Sequence, residues 1–260
     1  MGYSAGTRPP RGHARRAAPT LAICERSCYQ CGVSKGEATR QAVLAEATEI
    51  ASRLGLGGLT IGSLAARVDM SKSGLFAHFR SKEALHLQVL GYARDAFTAE
   101  VVRPALRAPR GEARMRALFE NWYRSVSLAS ACLFVSASTE FDDQPGPVRD
   151  QLVSDHKDLS DVIAQIFRTG IAEGQFDEAA DPDQFAHDLH SVMLGAFHAA
   201  RLLADPRAET WTRRAFEALL DAARPKPDAI RAQPDTVHPK PDTARPKPDA
   251  ARPKPDTARP

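Results

Sequence analysis

Three cysteines, Cys24, Cys28 and Cys31, stand in the stretch CERSCYQC at a C-x3-C-x2-C spacing. Thiolates so spaced can hold three irons of a [4Fe–4S] cluster, which makes an iron–sulfur enzyme one reading of the chain. A zinc site would want a fourth ligand, although His13 lies upstream. Asp183, His187 and His190 fall at i, i+4 and i+7, on one face of a helix, a spacing that many ordinary interface helices share. Glu140 to Asp143 (EFDD) is acidic enough to suggest a cation, but it precedes Pro145 and reads more plainly as a helix end. Cys132 is expected on a helix in an apolar setting, as a small buried hydrophobe rather than a redox sensor. Phe119, Trp122, Tyr123 and Phe134 can line an apolar pocket or simply pack as core.

The elements around the three cysteines argue against a cluster. Radical S-adenosylmethionine enzymes have this spacing, but an aromatic usually stands immediately before their last cysteine. Here Gln30 does, and Tyr29 is one place early. No strand–helix alternation follows from which their barrel could form. Residues 1–35 are therefore read as a disordered basic arm with incidental thiols, and globular patterning begins just after Val33. The basic arm is not followed by an apolar stretch of signal-peptide type, and no apolar run is long enough to span a bilayer. A cytoplasmic protein without membrane association is expected, with no resident cofactor and no metal.

Charge is segregated along the 260 residues. Residues 1–35 carry six Lys+Arg against one Asp+Glu, residues 96–222 carry 13 against 20, and residues 223–260 carry nine against five. Positive ends and an acidic middle suit a polyanionic partner, although soluble tails are often charged. From Ala223 the chain repeats ARPKPDA-like heptads. Proline recurs in each unit and removes a backbone donor, so residues 223–260 are expected to be disordered or polyproline-II-like. Lys226, Lys240, Lys247 and Lys254 recur there, and an inert tail is favoured over phosphate contact.

Between the tails the periodicity is helical, with about nine helices and no convincing strand: an all-α chain. Val43, Ala47, Ile50 and Leu54 form the stripe of a first helix, which the run GLGG (Gly55 to Gly58) ends. Thr60 is placed to cap a second helix with Ile61, Leu64, Ala65 and Val68 on one face. Asp69-Met70 interrupts, and Ser71 opens a short third helix. Ser81 caps a fourth, with Glu83 in its first turn, and Pro104 is expected to end it. Met115, Leu118, Phe119, Trp122 and Val126 make another stripe. Pro147 starts a helix reaching Gly174, and Asp181-Pro182 and Asp205-Pro206 start two more. Phe185, Leu189, Val192, Ala196, Ala199 and Leu203 lie in register on the first of these.

Two short helices joined by a three-residue turn have the geometry of a helix-turn-helix. A helix of about eight residues is about 12 Å long, and the major groove is about 12 Å wide. Small or polar groups at Ser73 and Gly74 let the backbone approach bases. Ser71 leaves the N-terminal amides facing phosphate, while Leu75 and Phe79 anchor the helix from behind.

The segment LTIGSLAARVDMSKSGLFAHFRSKEAL resembles the DNA-binding region of TetR-family transcriptional regulators. Thr60, Leu64, Ala65, Ser71, Leu75, Phe76, His78, Phe79, Lys82 and Leu85 match that pattern directly or by close substitution. The resemblance covers about 36–103 and continues more weakly over 131–152. It implies a helix-turn-helix domain over 36–81 (motif about 60–79), a helical regulatory and dimerisation domain over 82–222, and partners in double-stranded DNA, a second copy and an unknown small-molecule effector. By position it implies that Thr60 caps and meets a phosphate, that Lys72, Ser73, Gly74 and Phe76 face the groove or its edge, and that His78 and Lys82 grip the backbone. Arg67 is added from its charge alone. The dimer helices would be Asp183–Ala204 and Arg207–Ala222, with Gly195, Ala196, Ala199 and Ala200 permitting close approach. A helical interaction protein whose motif no longer binds DNA is the remaining alternative. Asp69 replaces the usual turn glycine at modest cost, because aspartate tolerates the left-handed region. Gly74 stands where Ser or Thr is frequent and removes one base contact.

Overall fold

The computed structural model describes residues 35–128 and 132–225, with no side-chain description for Lys35 or residues 126–128. Cys24, Cys28 and Cys31, the basic arm, and the repeat lysines from Lys226 onward lie outside the described residues. Among the described residues there are nine helices and no strand. The first four are α1 (Lys35–Gly58), α2 (Ile61–Val68), α3 (Lys72–Phe79) and α4, which runs over Lys82–Phe97, a π-helical turn Thr98–Val102 and a last turn Arg103–Leu106. Then come α5 (Glu112–Leu128), α6 (Leu133–Phe141), α7 (Pro147–Ala172), α8 (Pro182–Phe197 with a π-helical turn His198–Leu202) and α9 (Ala208–Ala223).

Three local expectations are corrected. Leu54 does not complete the α1 stripe: it is 68% exposed, while Val43 and Ala47 are buried. Gly55 (φ 80°, ψ 165°) leaves helical geometry there and turns Leu56 and Leu59 into the core in its place. Pro104 does not end α4. The π turn widens the backbone ahead of it, Arg103 donates to Thr98 O, and a further helical turn follows. A π turn also inserts an extra residue late in α8, so the expected stripe leaves register and Leu203 emerges 59% exposed. At Asp205-Pro206 the carboxylate accepts from Arg207 N at 2.8 Å, and α9 begins just after, at Ala208.

Two hydrophobic clusters result. The first joins Val43, Ala47, Leu64, Leu75, Phe79 and Leu85 to Val89 and Leu90 of α4, and is completed by Leu133 and Ala137 of α6 and Val148 and Leu152 of α7. The second joins α5, α7, α8 and α9. Its aromatic centre includes Phe119 stacked on Phe216 at 3.9 Å and Phe167 on Phe176 at 4.5 Å. The boundary expected at residue 81 marks the start of α4, a helix that serves both clusters.

Ion pairs tie the end of α9 to the start of α5. Glu112 accepts from Arg224 at 2.7 and 3.0 Å and from Arg116 at 2.8 Å. The Arg224 guanidinium holds the Glu112 carboxyl below the usual carboxylate range, with partial burial opposing and Arg116 assisting. A depressed folded value stabilises the protein above the ordinary carboxylate range, and that contribution is lost as pH falls through the folded value. Glu112→Gln should therefore cost about 1 kcal/mol at pH 7, and thermal midpoints of the two proteins should converge in acid. A deficit independent of pH would assign the loss to packing instead.

Candidate nucleic-acid interface

The exposed site is built by two capped helices and the turn between them. Thr60 Oγ1 accepts from Ser63 N at 3.0 Å while Ser63 Oγ accepts from Thr60 N at 3.1 Å, a reciprocal capping box. Asp69 adopts the left-handed conformation (φ 52°, ψ 45°) and closes α2 by donating its N–H to Ala65 O. Ser71 then caps α3, its Oγ accepting from Gly74 N at 3.0 Å. Ser73 Oγ lies 3.1 Å from Ser71 Oγ. Leu75 and Phe79 are fully buried. The opposite face of α3 presents Lys72, Ser73, Phe76 and Ala77 to solvent, with Gly74 and His78 half-buried at its edges. Phe76 is 56% exposed, which no core requirement explains.

Other side chains flank that face. A Cβ placed on Gly62 would lie 3.5 Å from Lys72 Cε and 3.8 Å from Thr60 Oγ1, so both side chains lie close to Gly62 in the first turn of α2. Ser81 caps α4 by accepting from Ala84 N at 3.0 Å, and Lys82 donates to Gly57 O at 3.1 Å. Arg67 is placed differently. Its Nε donates to Glu46 at 2.8 Å, a second nitrogen lies 3.5 Å from Glu49, and the Glu46 bond raises its pKa. Its charge is thus committed to α1.

A second site lies within the helical body. A cleft there is lined by Arg94, Phe97, Trp122, Phe134, Asp155, His156 and His190, among others. Trp122 meets Phe97 edge-on at 6.0 Å and His190 edge-on at 5.2 Å. His156 Nε2 lies 2.8 Å from Ser138 Oγ. Burial lowers the pKa of both histidines. Of the four aromatics named from the sequence, Trp122 and Phe134 line the cleft, whereas Phe119 and Tyr123 pack as core. Cys132 lines it too, one residue before α6 rather than on a helix, and burial pushes its thiol up. The sequence signal for the rest was a polar residue in an apolar stripe. Asp155 follows Val148 and Leu152 at the helical interval, and His190 falls between Ala186 and Met193.

Comparison with known proteins gives these two sites a common context. Residues 43–89 match the family described as bacterial regulatory proteins, tetR family, and residues 111–216 match the tetracyclin repressor-like C-terminal domain. The chain belongs to the TetR family. It is a helix-turn-helix, DNA-binding transcriptional regulator. Among solved structures, a TetR transcriptional regulator from Chloroflexus aurantiacus is 24% identical, with 72% of this chain and 94% of that chain covered and a TM-score of 0.65. A TetR-family regulator from Streptomyces coelicolor is 22% identical over 72% and 96%, with a TM-score of 0.62. AibR, in complex with isovaleryl coenzyme A and operator DNA, is 20% identical over 72% and 98%, with a TM-score of 0.56. No curated protein matches the chain by sequence.

In this TetR-family regulator Asp183, His187 and His190 do not converge. Asp183 pairs with Arg168 at 3.0 Å, His187 is exposed, and His190 turns inward onto Trp122. Among the described residues no cluster of three His, Cys, Asp or Glu side chains could hold a metal ion, and no helix is long and apolar enough to cross a membrane. Glu140, read as part of a helix end, also accepts a hydrogen bond from Gly57 N, linking α6 to the end of α1. Of the small residues named for a dimer face, Ala196 packs into the protomer's own core, whereas Gly195 and Ala200 are exposed. Leu194, Leu202, Leu203 and Trp211 are exposed on α8 and just beyond it, and on α9.

Proposed function

We propose that the chain is a homodimeric, ligand-responsive repressor that binds a palindromic operator through α3 and leaves it when a small molecule fills the cleft. The observation that carries this reading is that the cleft and the DNA-facing motif share α4. Lys82 begins that helix beside the motif, and Arg94 and Phe97 line the cleft from its far end. Twelve residues separate Lys82 from Arg94, about 18 Å of rigid helix. A second connection runs through α6, which offers Phe134 and Val135 to the cleft and Glu140 to Gly57. A ligand that fits one position of α4 better than another shifts the population of docking geometries.

Docking would place Ser73, Gly74 and Phe76 towards the groove, with Thr60, Ser71, Lys72, His78 and Lys82 at phosphates. Such contacts supply affinity and salt dependence, and the short side chains of α3 supply little direct base reading. Arg67 reaches a phosphate only by releasing Glu46, so its net contribution is smaller. The exposed apolar residues of α8 and α9 suit a surface shared with a second copy, which would set two copies of α3 against two half-sites. The operator complex of AibR supports this reading by fold likeness.

The test is a gel-shift titration of the full chain against DNA upstream of its own coding region at low salt, with sedimentation to report the oligomer. A folded dimer that forms a complex there supports the repressor reading. A folded dimer that retards no DNA leaves the helical interaction protein as the better account.

A further inference from the structure

The cleft contains two hydrogen-bond acceptors that have no donor among the described residues. His190 Nδ1 lies 3.1 Å from Ala186 O. A carbonyl oxygen only accepts, so Nδ1 carries the proton and Nε2 of the neutral ring is a bare lone pair. That Nε2 is buried with no partner among the described residues. Asp155 is the second case. Its side chain is 4% exposed, Oδ1 accepts from Gln151 at 2.9 Å and lies 3.5 Å from Arg94, and Oδ2 is buried with no partner among the described residues. Leaving such a group unmade is expensive, so a molecule that supplies donors there gains more than an ordinary hydrogen bond.

The charge balance narrows the choice further. Among the described residues Arg94 is the one guanidinium on the cleft, and it is shared between Asp155 at 3.5 Å and Asp95 at 3.3 Å. An anionic ligand would find that cation already neutralised and would face the Asp155 carboxylate. The remaining lining is mostly ring and aliphatic surface from Phe97, Trp122, Phe134, Leu159, Met193 and Phe197.

We propose that the effector is an uncharged aromatic compound bearing one or more hydroxyl groups, its rings on Trp122, Phe97 and Phe134 and its O–H groups donating to His190 Nε2 and Asp155 Oδ2. This deepens the reading of the cleft as the effector site and rests on it. Calorimetric titration of the full chain tests it with two matched sets of probes. One set is 2-naphthol, naphthalene, 2-naphthoate and the 2-naphthylmethylammonium ion. The other is the corresponding biphenyl series. Each neutral hydroxyl compound should bind at least about tenfold more tightly than its parent hydrocarbon and its carboxylate.

His190→Phe keeps the ring and removes the acceptor. It should erase most of the hydroxyl preference, read as the ratio of hydroxyl-compound to hydrocarbon affinity in the same variant. Tighter binding of a carboxylate or ammonium probe would overturn the proposal, as would an unchanged hydroxyl preference in His190→Phe. Folded protein that binds no member of either set would overturn it too. The measurement contains no DNA, so a chain that binds 2-naphthol but no operator fails the repressor reading alone. One that binds operator but prefers 2-naphthoate fails only the assignment of ligand class.

Discussion

Phe79→Ala is expected to abolish DNA binding by removing the anchor of α3. Phe79 is fully buried, and together with Leu75 it fixes an eight-residue helix to the first core. A helix this short is not stable alone, so packing holds it in place. Truncating a buried phenylalanine costs about 3–5 kcal/mol, a large fraction of the stability of an ordinary domain. Phe76 supplies the control three residues away. It is exposed, so Phe76→Ala should change stability by no more than about 0.5 kcal/mol and still weaken operator binding. Chemical denaturation followed by circular dichroism, with DNA titration of each folded variant, checks both. If Phe79→Ala denatures at the wild-type midpoint, α3 is not anchored as described.

The second large effect is electrostatic. Lys72 and Lys82 are exposed, lie beside the caps of α3 and α4, and form no ion pair among the described residues. If each neutralises one phosphate, the slope of log affinity against log salt should fall by about 0.9 per lysine removed. Lys72→Ala/Lys82→Ala removes four lysines from the proposed dimer, so it should flatten the slope by about 3.6 and weaken binding similarly across DNA sequences. Arg67→Ala should change the slope less, because its guanidinium is paired with Glu46 and Glu49. Affinities measured from low to moderate salt would separate these cases. An unchanged slope in the double variant would move the phosphate-facing surface away from α3 and α4.

The caps show what could be read from sequence. Thr60, Ser71, Ser81 and Asp181 each accept a backbone hydrogen bond where their positions before apolar periodicity predict it. Such signals are local and depend on only three or four residues. Asp69 likewise takes the left-handed conformation expected when it replaces a turn glycine. Leu54, Pro104 and Leu203 defeated the periodicity because a positive-φ glycine and two π turns shift register, and no repeating pattern encodes a single inserted residue.

The cleft was only half legible for a different reason. Trp122, Phe134 and Cys132 were named, but Asp155 and His190 acquire meaning only when α7 and α8 converge on one space. A single buried carboxylate in an apolar stripe is easily read as a tolerated exception. Its missing donor is visible only in three dimensions. Likewise, the charge of Arg67 was evident in the sequence, while its commitment to Glu46 depends on how α2 crosses α1.

The claim that α3 is a DNA-reading helix held by a two-copy regulator is tested most directly by selection from a random duplex pool. Wild-type protein and Ser73→Arg, a change at an exposed position of α3, would be carried through selection at low salt. The account predicts that wild type enriches an inverted repeat and that Ser73→Arg enriches one altered at symmetry-related positions in both half-sites. Enrichment of the same sequence by both proteins, or of none by folded protein, would contradict it.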